Sequence, residues 1–372
     1  MRALSSPSIP GRPLHIAVVV TSDHLGGAER YLTRLYAETA RRGAGATLVG
    51  RVPSWTDHGL DAVDPDLGPK WSRRTLPAGL LRLPAEARRT RDAVGRLRPD
   101  VIQMQYKREQ IGFSRGLSRL APVVWIEHGR WLSGPMGIAL AAGYRRASRF
   151  ADAIICVDER VAGDVRRITR HPHIEVIENA VDTVAQHPPS AADRQAARAR
   201  LGLAADEPVA LWIGRLHRNK LPVRAVEAAA AAGLRLLMVG DGPEREDVAA
   251  ATRANGARFL GTVPDLTDVF WAADVYLFTS TGEGFPTVLL EAAAHGLPLV
   301  MNRGAGIGHL ARAAGAWETG DDAGALAEGM RSALAAGASA RDRSLAWARA
   351  HDTRPWADRH LSLFRSVARR AA

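Results

Sequence analysis

"DVYLFTSTGEGFPTVLLEAAAHGLPLV", residues 274–300, decides how this chain folds. It opens on an apolar, β-branched and aromatic run, crosses a loop containing Gly282 and Gly284, and enters a leucine- and alanine-rich run. Pro286 carries the fixed φ of a first helical residue, and Gly296 suits the position just past a helix end. The stretch therefore predicts a strand, a loop, a helix from Pro286 to about His295, and a second strand near 297–302. Apolar strands separated by helices are the signature of a parallel sheet covered on both faces.

The same unit recurs along the chain. Apolar runs at 15–22, 46–52, 100–105, 122–128 and 152–158 form one series, and runs at 208–214, 234–240, 257–263, 274–280 and 297–302 form another. The expected fold class is α/β, with two Rossmann-like, doubly wound parallel-sheet domains facing a central cleft. A length of 372 residues agrees with about two domains. The seam is expected in "TVAQHPPSAADRQ", 183–195, where prolines and small polar residues collect. This divides the chain into an N-terminal domain, 1–183, and a C-terminal domain, 184–353. Ligands of such sheets sit at the carboxyl ends of the strands, so functional residues should follow strands directly.

Composition narrows the class. The chain is 46% apolar and 24% charged, a profile of a folded globular protein. A single cysteine, Cys156, excludes an internal disulfide framework and, following "DAII", reads as a buried inert thiol. No run approaches 18 apolar residues, and the opening "MRALSSPSIPGRPL" lacks the apolar core of a signal peptide, so a cytoplasmic location is expected. The net charge of +11 is uneven. Residues 1–185 hold 28 basic and 19 acidic side chains, whereas 186–372 hold 22 and 20. No basic stripe is interleaved with aromatics, which argues against nucleic acid, and an anionic small molecule or an anionic membrane surface accounts for the excess equally well. The densest stretch, 70–98, has nine basic residues and two acids, with Trp71, Leu80, Leu81 and Leu83 among them. It reads as a solvated arginine-rich helix face or as a helix resting on the inner face of an anionic membrane.

Four strand-end loops and one strand-end histidine carry candidate chemistry. In "WIGRLHRNK", Arg215 and Lys220 follow a strand, and Lys220 is one of only three lysines against 47 arginines. A compact ammonium beside a guanidinium suits a diphosphate, although two solvated loop cations would look the same. In "VGDGPERED", Gly240 and Gly242 would admit a ligand close to the backbone, as would Gly26 and Gly27 in "GGAER". His128 ends a strand and points either into the ligand site or into an ordinary hydrogen bond. In the opening stretch, the amides of Gly284, Phe285 and Thr287 would face an anion at a helix N-terminus. The carboxylates Glu283 and Glu291, in the loop and on the helix, flank it as hydroxyl acceptors.

These pieces together resemble the retaining glycosyltransferases of family 4, enzymes of the GT-B fold. The resemblance rests on "GRLHRNK", "VGDGPER", "FLGTVPD", "FTSTGEGFPTVLLEAAAHGLPLV" and, at the domain junction, "ENAVD". It implies that Arg215 and Lys220 bind the donor diphosphate with the amides of Phe285 and Thr287. It also implies that Glu291 accepts the ribose hydroxyls, Glu283 those of the transferred sugar, and that His128 orients that sugar. Gly26 and Gly27 would let donor or acceptor approach the N-terminal domain, and a final helix, 354–372, would cross back onto it. Further implications are retention of configuration, no metal and no cofactor beyond the nucleotide-sugar co-substrate. Departures from the family pattern are Glu178 and Ala180 at the junction, Leu221 where glycine usually follows the lysine, His309 and Asp158. Asp64-Pro65-Asp66 resembles the magnesium-binding pair of another transferase class but lies in a loop with no expected strand before it.

The expected function is sugar transfer from a nucleoside-diphosphate sugar, UDP favoured over GDP, to a hydroxyl of a polysaccharide, lipid-linked or secondary-metabolite acceptor. A GT-B nucleotide-sugar epimerase and a catalytically silent nucleotide-sugar-binding protein are the alternatives.

Overall fold

The computed structural model describes residues 13–371 except 24–25, 72–74 and 132–133. Most of the opening segment and the two arginines Arg73 and Arg74 of the basic stretch thus lie outside the described residues. Two compact units are present, 1–179 with 353–372, and 180–352.

The first unit contains seven parallel strands: β1 (His15–Thr21), β2 (Gly45–Arg51), β3 (Asp61–Val63), β4 (Val101–Met104), β5 (Val123–Glu127), β6 (Ala153–Cys156) and β7 (Ile174–Val176). Their order is β3-β2-β1-β4-β5-β6-β7, so the winding reverses between β1 and β4. Val18, Val19, Ile102, Val124, Trp125 and Ile154 are fully buried in the sheet. Continuous apolar burial of this kind is expected of a sheet with helices on both faces. Cys156 is among the buried residues, and burial pushes its thiol pKa up, the opposite of what a nucleophile needs. The last helix, Thr353–Ala371, packs on the first, Gly27–Ala40, within this unit. Arg42, in the turn just past the first helix, bonds Asp358 Oδ1 at 2.7 Å.

The second unit has six parallel strands: β8 (Val209–Ile213), β9 (Arg235–Val239), β10 (Arg258–Gly261), β11 (Val275–Phe278), β12 (Leu299–Asn302) and β13 (Trp317–Thr319). Their order is β10-β9-β8-β11-β12-β13, and the reversal falls between β8 and β11. Residues 180–183 fold with this unit. The Val181 amide bonds the His351 carbonyl at 2.9 Å, and Val181 bridges to Asp352.

Three short strands, β3, β7 and β13, were not expected, because none has an apolar run to betray it; all three residues of β3 are exposed. The presence of β3 corrects the expectation for Asp64-Pro65-Asp66, which does follow a strand. Asp64 bonds Arg51 at 2.9 Å, and Arg89 lies 3.6 Å from Asp66. Pro286 is corrected by one position: the helix is Thr287–Ala294, with Pro286 as the residue flanking its start. His295 follows the helix, and Gly296 turns the chain with φ 78°. In the basic stretch, the helix Leu76–Leu97 buries Glu86, Thr90, Ala93 and Val94 and leaves Leu80 and Leu81 exposed. No helix of the described residues is long and apolar enough to cross a membrane.

Candidate functional site

In the second unit the reversal of strand order brings the loop after β8 beside the loop after β11. The connection is made by side chains. Thr279 Oγ1 lies 2.9 Å from Trp212 Nε1 and 2.8 Å from the Lys220 carbonyl, tying the Arg218–Lys220 turn to the end of β11. The Thr281 amide bonds the Asn219 carbonyl at 2.7 Å. On the far side, Asn302 brackets Ser280, accepting its amide at 2.8 Å and donating to its carbonyl at 2.9 Å; Asp321 accepts from the same Asn302 at 2.8 Å. The Glu283 amide bonds the Ala305 carbonyl at 2.9 Å. The loop that carries Glu283 is thus clamped from both neighbouring strands.

The clamp places Lys220 Nζ and the Ser280 hydroxyl on one oxygen, Oε1, of Glu283. The Lys220 and Glu283 side chains are 25% and 16% exposed, so this pair lies half inside the protein. The amides of Gly284 and Thr287 have no backbone acceptor among the described residues, as the start of a helix requires. The Phe285 side chain turns away into the protein, stacking on Trp347 at 6.2 Å, so only its backbone can serve a ligand. Glu291 is buried, at 8% exposure, which settles that it does not lie on a solvated helix face. The Arg215 side chain is exposed and has no partner among the described residues.

Two glycine assignments change. A Cβ on Gly240 would stand 1.8 Å from the Gly214 carbonyl oxygen, and one on Gly242 would stand 2.4 Å from that of Leu216. What comes close to these glycines is the neighbouring loop of the same chain. Leu216 and Glu244 amides bond the Asp241 and Leu216 carbonyls, each at 3.0 Å, which fastens the two loops together. Leu221, noted for standing where glycine is usual, adopts φ 48°, a left-handed conformation costing a side-chain-bearing residue about 1 kcal/mol.

In the first unit, Gly26 and Gly27 start the first helix, but the Gly26 amide is occupied: it donates to the Glu29 side chain, Oε2, at 2.9 Å. A ligand therefore does not find that amide free. Glu29 Oε1 accepts from Lys70 Nζ at 2.7 Å and from the Tyr106 hydroxyl. Burial alone would raise this carboxyl, but the hydrogen bonds from Lys70, Ser22 and Tyr106 outweigh it and hold the pKa to about 2. Lys70 Nζ also lies 3.7 Å over the Tyr106 ring.

His128 sits half-buried at the end of β5. Its Nε2 is 3.0 Å from Gln105 Oε1, and its ring meets Tyr31 edge-on at 4.6 Å. With an amide oxygen facing it, Nε2 carries the proton and Nδ1 is left as an acceptor. Burial pushes the imidazole pKa down to about 3, the pull of Glu29 being opposed by His360, Lys107 and Lys70. Tyr31 is fixed in turn by His360 on the last helix, whose Nε2 lies 2.5 Å from the Tyr31 hydroxyl while Nδ1 donates to the Trp356 carbonyl at 2.8 Å.

Ser280, Gln105, Tyr31, His360 and the Lys70–Glu29 pair escaped the sequence reading. One signal for part of this was present. All three lysines, Lys70, Lys107 and Lys220, end on a glutamate: Glu29, Glu127 and Glu283. The rarity that drew attention to Lys220 applies equally to the other two. Among the described residues no cluster of three or more His, Cys, Asp or Glu side chains could hold a metal ion.

Comparison with known proteins gives two family matches. Residues 25–185 match the model described as Glycosyltransferase Family 4, and residues 207–336 match Glycosyl transferases group 1. The lipopolysaccharide core biosynthesis glycosyltransferase LpsE of Rhizobium meliloti is 28% identical over 291 residues, 76% of this chain and 77% of that protein. The D-inositol 3-phosphate glycosyltransferase of Nocardia farcinica is 34% identical over 145 residues, 34% of this chain and 32% of that one. Among solved structures, Anabaena HepE in complex with UDP and glucose superposes with a TM-score of 0.78 at 19% identity, covering 94% of this chain and 99% of that one.

Proposed function

The chain is a family 4 glycosyltransferase of the GT-B fold, and from that premise we propose that it moves a sugar, with retention, from a nucleoside-diphosphate sugar to a hydroxyl acceptor. The observation that carries the donor assignment is the meeting of Lys220, Glu283 and the N-terminus of helix Thr287–Ala294 at the strand ends of the second unit. An ammonium and the amides at a helix N-terminus suit a diphosphate, and a carboxylate beside them suits sugar hydroxyls. Lys220 and Arg215 bind the diphosphate with the amides of Gly284, Phe285 and Thr287. Glu283 accepts from the sugar and Glu291 from the ribose. UDP is preferred over GDP, in line with the UDP and glucose bound to HepE.

In the reaction, the bond from the anomeric carbon to the diphosphate oxygen breaks as the acceptor oxygen bonds the same face of that carbon. The acceptor proton passes to the leaving phosphate. Negative charge grows on the diphosphate as it leaves, and fixed cations and amides stabilise it without a metal or other cofactor. The sugar becomes oxocarbenium-like, which fixed contacts to its hydroxyls favour. No residue in this scheme needs to titrate.

Screening UDP- and GDP-sugars by thermal shift and by slow hydrolysis, with and without EDTA, tests the donor assignment. UDP-sugars should raise the unfolding temperature, and EDTA should change neither readout. Activity that vanishes with EDTA and returns with a divalent ion would overturn the metal-free scheme.

The acceptor is assigned to the basic first unit. The acceptor class proposed is a glycan, including one carried on lipid, in line with the name of LpsE, a lipopolysaccharide core biosynthesis glycosyltransferase. The enzyme acts in the cytoplasm and touches the inner membrane face through helix Leu76–Leu97, where Leu80 and Leu81 are 51% and 85% exposed beside Arg82. Co-sedimentation should be seen with anionic vesicles and not with neutral ones. Equal recovery in both supernatants would remove the membrane contact and leave the reaction intact.

A further inference from the structure

Lys220 has two prospective partners of the same sign. In the structure its ammonium sits on Glu283 Oε1, the oxygen also met by the Ser280 hydroxyl. Ser280 is itself fixed through its backbone by Asn302, and the Glu283 N–H donates to the Ala305 carbonyl, so the backbone that carries the carboxylate is held beside the lysine. Building on the donor site proposed above, we infer that the Lys220–Glu283 ion pair selects a nucleoside diphosphate that carries its sugar over the bare nucleoside diphosphate.

The selection follows from what each ligand does to Glu283. A bare diphosphate draws the ammonium onto its own oxygens. That leaves a half-buried carboxylate stripped of its strongest donor and facing a second anion. A ligand with its sugar attached brings hydroxyl groups that donate to Glu283 as the lysine leaves it, so both charges remain satisfied. The carboxylate thus opposes only the ligand without a sugar. The same asymmetry acts after transfer. Once the sugar has gone to the acceptor, Glu283 loses its hydroxyl donors while the diphosphate is still bound, and repulsion together with return of the lysine drives the spent nucleotide out. Glu283 is then a determinant of product release as well as a sugar contact.

Calorimetric titration of the full chain with UDP and with UDP-glucose decides the matter. Glu283→Gln keeps the shape and removes the charge, and Glu283→Ala serves as a second variant should the amide disturb the loop. Both should bind UDP about tenfold more tightly than wild type and UDP-glucose no more tightly, so that the preference for the sugar-bearing ligand falls. UDP affinity that is unchanged or weaker in both folded variants would sink the inference while leaving the donor site standing. A different pattern strikes the donor site itself and the inference with it: wild type binding neither ligand, or Lys220→Ala binding UDP as tightly as wild type.

Discussion

Lys220→Ala lowers kcat/KM for the nucleotide-sugar donor by about 10²–10³-fold, the usual loss when one preorganised group facing developing negative charge is removed. The expected loss is large because the charge is compact, half-buried and already held in place. Lys220 lies in a one-turn helix whose carbonyl is fixed by Thr279, and Thr279 is fixed by Trp212. Little reorganisation is then needed when the diphosphate arrives. Stability should fall only modestly. Without Lys220, Glu283 keeps the Ser280 hydroxyl but loses its charge partner at a site mostly out of solvent, a cost of about 1–2 kcal/mol. Lys220→Arg should recover only part of the activity, since a planar fork cannot reproduce a point charge in the same loop. Initial rates alongside thermal unfolding check this. A variant that unfolds early, or one with near-normal kcat/KM, would mean that Lys220 does something else.

The fold was legible because it is written in local patterns. β1, β5, β8, β9 and β11 are built on apolar runs, and the helix after β11 is punctuated by Pro286 and Gly296. The donor-side loops were legible for the same reason, since position after a strand marks them. What stayed hidden are partnerships between residues far apart in the chain. Tyr31 meets His360 across 329 positions, Lys70 meets Glu29 across 41, and His128 meets Gln105 across 23. Each joins side chains on different elements, and no spacing within one element reveals it. The glycines taught the converse lesson. Gly240 and Gly242 look like ligand-approach residues in sequence, yet the space beside each is filled by the neighbouring loop. A glycine signals close approach without saying what approaches.

Acidification should weaken the first unit before ordinary carboxylate titration begins, because burial holds two of its imidazoles, His128 and His360, neutral. Burial pushes His128 down to about 3 and His360 down to about 4, each from 6.5. Below pH 6.5 the unfolded chain takes up protons that the folded chain refuses, so stability falls as pH falls. Each imidazole contributes a slope of up to about 1.4 kcal/mol per pH unit between 6.5 and its folded value. Glu29 works in a lower window. Its folded pKa of about 2 lies below the ordinary 4.5, so its contribution is complete above 4.5 and is lost as pH drops through 2. At neutral pH that contribution is of the order of 3 kcal/mol, carried by the bonds to Lys70, Ser22 and Tyr106. Glu29→Gln should therefore destabilise the first unit by about 2–3 kcal/mol at pH 7 and flatten its pH dependence below 4.5. The loss between 6.5 and 4.5 should stay unchanged, because that window belongs to the histidines. Hydrogen exchange followed by mass spectrometry separates the units, and peptides from β1 and β5 report on the first. Equal protection of those peptides at pH 6.5 and 4.5 would contradict the buried neutral histidines. A Glu29→Gln chain as stable as wild type at pH 7 would show that Lys70 and Tyr106 find equivalent partners elsewhere.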